Sequence, residues 1–208
     1  MTSYISYLFL GFFTGLSLIL AIGPQNIFVI EQGLKKKYIF TVCLICSISD
    51  TLLIFLGILI FNFLIKYFSN IIEIILNILL LIFLLNFVWK KLKEKIEDVN
   101  FTNKNSNDSF QAVIMKTLGF TYLNPHVYSD TLFFLGNFSR NFYFEQKIFF
   151  ALGASFASLI FFFALGYMAK YFSKYLQTNK TWRVLNRIII LFMSFIIFIV
   201  FYDLITSF

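Results

Sequence analysis

Ala21-Ile22-Gly23-Pro24-Gln25-Asn26-Ile27-Phe28-Val29-Ile30-Glu31-Gln32-Gly33 interrupts a long apolar run with a helix breaker and two carboxamides. Proline removes a backbone donor and clashes with the preceding turn, so the Gly23-Pro24 pair ends one helix and starts another at Pro24. The first backbone N–H groups of the new half-helix then have no intrahelical partners. In hydrocarbon such groups are costly to expose, so they should face protein, a water-filled cavity or a ligand. The positive end of that half-helix, with Gln25 and Asn26 in its first turn, suits an anionic group such as a carboxylate.

The rest of the chain supplies the hydrocarbon setting. It has 208 residues, 60% hydrophobic and only 13% charged, with a mean hydropathy of +0.84. This composition excludes a soluble domain and indicates an integral membrane protein of about six spans of roughly 20 residues, with no room for a separate soluble domain. The uncharged N-terminal run lacks a positive leader and continues to Ile30, so it reads as a retained first span. A net charge of +7 could suggest nucleic acid, but the basic residues cluster between spans, where topology explains them. Cys43 and Cys46 form a C-x-x-C inside an apolar span and read as small helix residues, with no metal site or other cofactor indicated. The N-x-S/T matches at Asn100, Asn107, Asn137 and Asn179 read as chance in an Asn-rich chain.

Span one covers about residues 4–30 and carries Gly11-x-x-x-Gly15, a pair that lets another helix approach closely. Span two, about 38–65, contains one charge, Asp50. Cys43, Ser47, Asp50 and Gly57 recur at helical spacing, so the small and polar face should look into the bundle. A carboxylate at the centre of a span costs about 2.5–3.5 kcal/mol on insertion scales, which argues for a use. Span three covers about 71–89, with Glu73 near its start. Residues 90–109 are rich in Lys, Glu and Asn without apolar periodicity and read as the one sizeable polar loop.

The fourth membrane segment, 110–139, holds Leu123-Asn124-Pro125-His126-Val127-Tyr128-Ser129-Asp130-Thr131. Asparagine is favoured as an N-cap and proline at the first helical position, so a second helix start is placed inside an apolar stretch. His126, the one histidine in the chain, lies four residues before Asp130 and shares its face. A histidine beside an intramembrane aspartate is a candidate proton relay, the alternative being a histidine merely hydrogen-bonded in place. Span five, about 148–169, has a small-residue face of Gly153, Ala154, Ala157 and Ser158 that reads as packing. The last span, about 184–202, is short and calls for snorkelling by Arg187 or local thinning. Trp89 beside Lys90 and Trp182 beside Arg183 suit anchors at one interface.

The two breaks lie 101 residues apart, near half the chain, and each half holds three spans. An odd number inverts the second half relative to the first, giving a single transmembrane domain (1–208) of two inverted repeats, 1–89 and 110–208, joined by the 90–109 loop. The fold class is therefore all-α: a polytopic membrane protein of six transmembrane helices, the first and fourth broken. Loops one-two, three-four and five-six hold three, six and five basic residues, against Lys66, Arg140 and Lys147 on the other side. That bias places 31–37, 90–116 and 170–187 in the cytoplasm and both termini outside. Pro24 precedes Glu31 by seven residues and Pro125 follows Lys116 by nine. Both breaks thus lie nearer the lysine-rich face, unless Lys116 is drawn in along a fourth segment beginning near Phe110.

Ala21-Ile22-Gly23-Pro24-Gln25-Asn26, Gln32-Gly33, Ser49-Asp50 and Leu123-Asn124-Pro125-His126-Val127-Tyr128 with Asp130-Thr131 resemble the lysine exporter (LysE) family over the whole chain. The longer Gly-Pro-Gln-Asn and Asn-Pro-His-Val-Tyr strings are similar to its lysine/arginine branch. Glu31, where a neutral or basic residue is common, and Ser129, where leucine is common, depart from the pattern; Glu31 is expected at the cytoplasmic mouth.

The resemblance implies a secondary transporter of the bacterial inner membrane, not an enzyme. It would export L-arginine or L-lysine, driven by the proton gradient or the membrane potential, with antiport as one form of coupling. The half-helix at Pro24, with Gly23, Gln25 and Asn26, would hold the substrate α-carboxylate. The one at Pro125, with Asn124 and Tyr128, would do the same or bind the opposite end. Asp50 would face the substrate cation, and His126 and Asp130 would serve proton coupling or gating. The expected partners are the basic amino acid and membrane lipids, with homo-oligomerisation open and no nucleic acid. Export of other small amino acids, a thiol-disulfide electron carrier using Cys43 and Cys46, and a passive channel are the alternatives.

Overall fold

The computed structural model describes residues 2–20, 23–64, 70–93, 109–176 and 179–206, and every element among them is helical. The first helix breaks where Gly23-Pro24 requires. α1 (Thr2–Ile19) ends short of the pair and α2 (Pro24–Lys35) begins on the proline, with Gly23 extended at φ −112°, ψ −178°. The two axes meet at 84°, so the expected span of 4–30 is not one straight crossing. Asn26 Nδ2 donates to the carbonyl of Ile19 at 3.3 Å, so the first turn of α2 caps the end of α1. Ala21 and Ile22, part of the quoted motif, lie outside the described residues.

α2 also corrects the first loop. It continues through residues 31–35, and the chain turns only at Lys36, whose left-handed backbone (φ 56°) closes the helix with Lys36 N–H to Gly33 O and Lys37 N–H to Gln32 O. Glu31 therefore lies within a helix and not in a loop. It is 2% exposed, and its Oε1 lies 2.7 Å from Lys35 Nζ, one helical turn on. An i,i+4 pair in this order matches the helix dipole, and burial has drawn it into the packed face of α2.

The fourth segment breaks in the same manner. Ser109 caps α5 (Phe110–Tyr122) through its side chain, and Lys116 lies half-buried inside that helix, so the segment does begin at Phe110. α6 (Pro125–Tyr128) starts after Asn124, whose Oδ1 accepts from His126 N–H at 3.1 Å as an N-cap should. The helix then widens into a π segment (Ser129–Phe134) before α7 (Leu135–Phe138). That widening was not anticipated; π turns recur at functional sites because they displace side chains from regular register.

α3 (Ile39–Leu64), α4 (Asn70–Lys93), α8 (Phe144–Phe172) and α9 (Asn179–Thr206) are the long helices. α8 starts before the expected Ile148 because Gln146 Oε1 accepts the Tyr143 N–H and fixes an earlier end. By length and composition, Ile39–Phe61 and Phe144–Phe172 can each cross a membrane, and the bent α1/α2 pair can form a third span. α4 and α9 carry shorter apolar stretches, Asn77–Trp89 and Arg187–Tyr202. The α9 helix extends well beyond the expected 184–202, with Arg187 exposed within it. Lys66, most of the 90–109 loop, and the side chains of Glu73, Trp182 and Arg183 lie outside the described residues.

α8 is the hub, packed against α1, α2 and α3, while α3 also meets α5, the π segment and α7, and α4 pairs with α9. Small residues permit the tightest of these contacts. A Cβ on Gly11 or Gly153 would strike the backbone of α8 or α1, and one on Gly57 or Gly136 would strike the backbone of the π segment or α3. The expected role of Gly11 and Gly15 in close helix approach is thus met by Phe150 and Ala154 of α8.

Two apolar clusters fill the interior. One contains Cys46 and Phe162, the other Ile54 and Ala154. Asp50 stands midway between Cys46 and Ile54 on α3, and Ser158 midway between Ala154 and Phe162 on α8. A single polar rung therefore separates the two apolar blocks.

Candidate functional site

The breaks converge. A cavity of about 380 Å³ is lined by Gly23, Pro24, Gln25 and Asn26 from the first break, by Asn124, His126, Val127, Asp130 and Thr131 from the second, and by Asp50. Leu18, Ile19 and Phe162 complete its wall. The volume falls in the range of small-molecule sites. Ile19 and Phe162 connect the cavity to the first apolar cluster and Leu18 to the second.

The donors in this wall have a local origin. The first intrahelical bond of α2 runs from Ile27 N–H to Gly23 O, so the Gln25 N–H precedes the regular ladder at the positive helix end. The Gln25 side chain is 6% exposed, and its Nε2 has no hydrogen-bond partner among the described residues. The Cys46 thiol is within its reach, and a buried amide in this state can donate to a stronger acceptor that enters the cavity. Asn26, by contrast, spends its Nδ2 on Ile19 O.

Acceptors face the same space. Asp50 is 4% exposed, and its Oδ2 accepts from Ser158 Oγ at 2.9 Å. Ser158, read from sequence as packing, is therefore a polar partner of the one charge in α3. Asp130 reaches the cavity from the π segment, half-buried, and Thr131 beside it donates to Val127 O at 2.5 Å. His126 lines the cavity but is exposed, one turn from Asp130, and among the described residues no hydrogen bond joins the two. Tyr128 is not part of the wall; its hydroxyl donates to Tyr122 O at 2.7 Å. Pro125 begins α6, and its side chain lies outside the description.

Sequence reading missed Thr131 and Phe162 as wall residues and Ser158 as a partner. The signal for Ser158 was available, since one hydroxyl on a small-residue face is the natural mate for a lone buried carboxylate. Cys43 and Cys46 are both free and fully buried, and Cys43 Sγ donates to Phe162 O at 3.1 Å, joining α3 to α8. Among the described residues no cluster of three His, Cys, Asp or Glu could hold a metal ion.

Broken apolar helices that gather backbone donors, an amide and two carboxylates around one cavity define a membrane transport protein rather than an enzyme. The chain belongs to the LysE type translocator family, whose model matches residues 16–203. It is 35% identical to a protein named arginine exporter protein ArgO from Pectobacterium atrosepticum over 178 residues, 85% of this chain and 87% of that one. A protein of the same name from Klebsiella pneumoniae is 34% identical over 196 residues, 93% of this chain and 92% of that one. No solved structure matches the chain.

Proposed function

We propose that this chain exports basic amino acids, L-arginine foremost and L-lysine as the alternative, from the cytoplasm across the bacterial inner membrane. The driving force in this reading is the proton gradient or the membrane potential. The observation that carries it is the meeting in one cavity of Asp50, Asp130 and the Gln25 amide, whose Nε2 has no hydrogen-bond partner among the described residues. A basic amino acid has two cationic groups and one carboxylate. The cavity offers two carboxylates and, at the start of α2, a helix N-terminus with a free amide donor. The relatives' names point to the same substrate class.

Asp50 supplies the charge discrimination. At an effective dielectric of about 20 and a separation of about 4 Å, a pair with the guanidinium or ammonium gains roughly 4 kcal/mol before desolvation. A neutral amino acid gains none of that. Gln25 and the first N–H of α2 take the α-carboxylate, and His126 with Asp130 serves coupling or gating.

In this reading the helices form six crossings in two inverted repeats, 1–89 and 110–208. Exchange of partners between the halves supports it: α1 and α2 pack on α8, whereas α5, the π segment and α7 pack on α3, and α3 meets α8 as α4 meets α9. The sidedness has similar support. The Tyr38 ring lies 5.2 Å from that of Phe110, tilted by 60°, and α2 packs on the Ser173–Leu176 turn, which brings the end of α2, the start of α5 and the end of α8 together at one side. Tyr4 meets Phe149 at 5.4 Å and Tyr7 meets Phe142 at 4.9 Å at the other. The cytoplasmic placement of the lysine-rich end puts both termini outside.

The test is resistance of cells with and without this chain to a toxic arginine or lysine analogue, followed by radiolabelled efflux from proteoliposomes. Efflux of arginine above empty liposomes upholds the reading; none for either amino acid overturns it.

A further inference from the structure

The carboxylate of Asp50 is buried between two apolar clusters, and among the described residues no lysine or arginine pairs with it. Its one hydrogen-bond donor there is Ser158 Oγ, at 2.9 Å. Ser158 is fully buried on α8 and is not part of the cavity wall. One carboxylate oxygen is thus tied to the scaffold, leaving the other for the cavity. Asp130 shares that cavity, so when no cation occupies it, two acidic groups face each other with the Ser158 hydroxyl as the fixed compensation for one. A buried charge stripped of its partner is costly, and that cost falls on the empty carrier alone.

We propose that Ser158 is a positioning residue for the return of the empty carrier: its hydroxyl holds the unoccupied Asp50 carboxylate through reorientation, a task the substrate cation performs in the loaded carrier. This rests on the reading of Asp50 as the cation site. It makes a distinction that a merely structural hydroxyl would not. Net efflux requires the protein to return without arginine in every cycle. Exchange of internal for external arginine does not, because the protein returns loaded. Loss of the hydroxyl should therefore slow net efflux and spare exchange.

The experiment compares net efflux and arginine/arginine exchange in proteoliposomes holding equal amounts of native protein, Ser158→Ala and Ser158→Thr. Ser155→Ala is the control for altered helix packing, because Ser155 lies on the same helix with a buried hydroxyl that has no partner among the described residues. Ser158→Ala should lower net efflux about tenfold, as expected for loss of a hydrogen bond to a charged group, with exchange within about twofold of native. Ser158→Thr, which keeps the hydroxyl, should restore net efflux, and Ser155→Ala should leave both modes near native. Parallel loss of both modes in Ser158→Ala, or loss of neither, overturns the proposal. If Ser158→Ala does not fold, Ser158→Cys, close in size with a much weaker donor, is read in the same way: net efflux lowered with exchange spared upholds the role, and parallel loss of both modes, or loss of neither, overturns it. If the native protein carries no arginine in either mode, the functional reading itself fails and this proposal with it.

Discussion

The Tyr128 hydroxyl donates to the Tyr122 carbonyl at 2.7 Å across the Asn124-Pro125 break, and Asn26 makes the corresponding bond to Ile19 across the Gly23-Pro24 break. Each half-helix thus reaches back from its first turns to satisfy the last carbonyls of the helix before it. Tyr128→Phe removes one such bond without changing the ring. The expected result is a loss of about 1–2 kcal/mol of stability, seen as a lower midpoint in thermal unfolding of the detergent-solubilised protein. An unchanged midpoint would show that the bond contributes nothing to holding the break.

Asp50→Asn keeps shape and hydrogen bonding while removing charge. Part of the roughly 4 kcal/mol of attraction is offset by desolvation, so arginine efflux should fall at least about a hundredfold at equal expression. A native rate in this variant would remove the argument for charge selection.

His126 is exposed at the cavity, one turn before Asp130. With His126→Gln, efflux should lose its response to an imposed pH gradient while its response to an imposed membrane potential remains. Vesicles in which the variant follows the pH gradient as the native protein does would refute a coupling role.

Two glycines should respond in opposite ways. A Cβ on Gly11 would collide with the backbone of Phe150, whereas one on Gly23 meets nothing nearer than Asn124 Nδ2 at 3.9 Å. Gly11→Ala should cost about 2–3 kcal/mol or prevent folding, since backbone cannot yield as a side chain does. Gly23→Ala should cost only about 0.5 kcal/mol, chiefly as a poorer helix cap. Comparable yields and unfolding midpoints for the two variants would contradict the packing described.

The breaks were legible because proline acts locally: the missing N–H and the ring clash depend on no distant neighbour. Asp50 was legible as the single charge in an apolar span. The 84° bend was not, since a breaker locates an interruption and leaves its angle to packing against α8. Nor was the π segment, because Ser129 to Phe134 carries no periodicity that separates it from an ordinary helix. Ser158 was assigned to packing because serine among glycine and alanine has the same signature whether its hydroxyl is used or idle. The Glu31–Lys35 spacing could have been recognised as an ion pair, but its burial arises from α2 folding against α8 rather than lying in a loop.

The glycine contacts leave almost no slack between certain neighbours: α1 touches α8 backbone to backbone, and α3 does the same with the π segment and α7. Sliding one member past the other would demand that main chain pass through main chain. Whatever rocking carries the cargo from one side to the other must therefore move these couples as single rods, with the freedom lying between couples rather than within them.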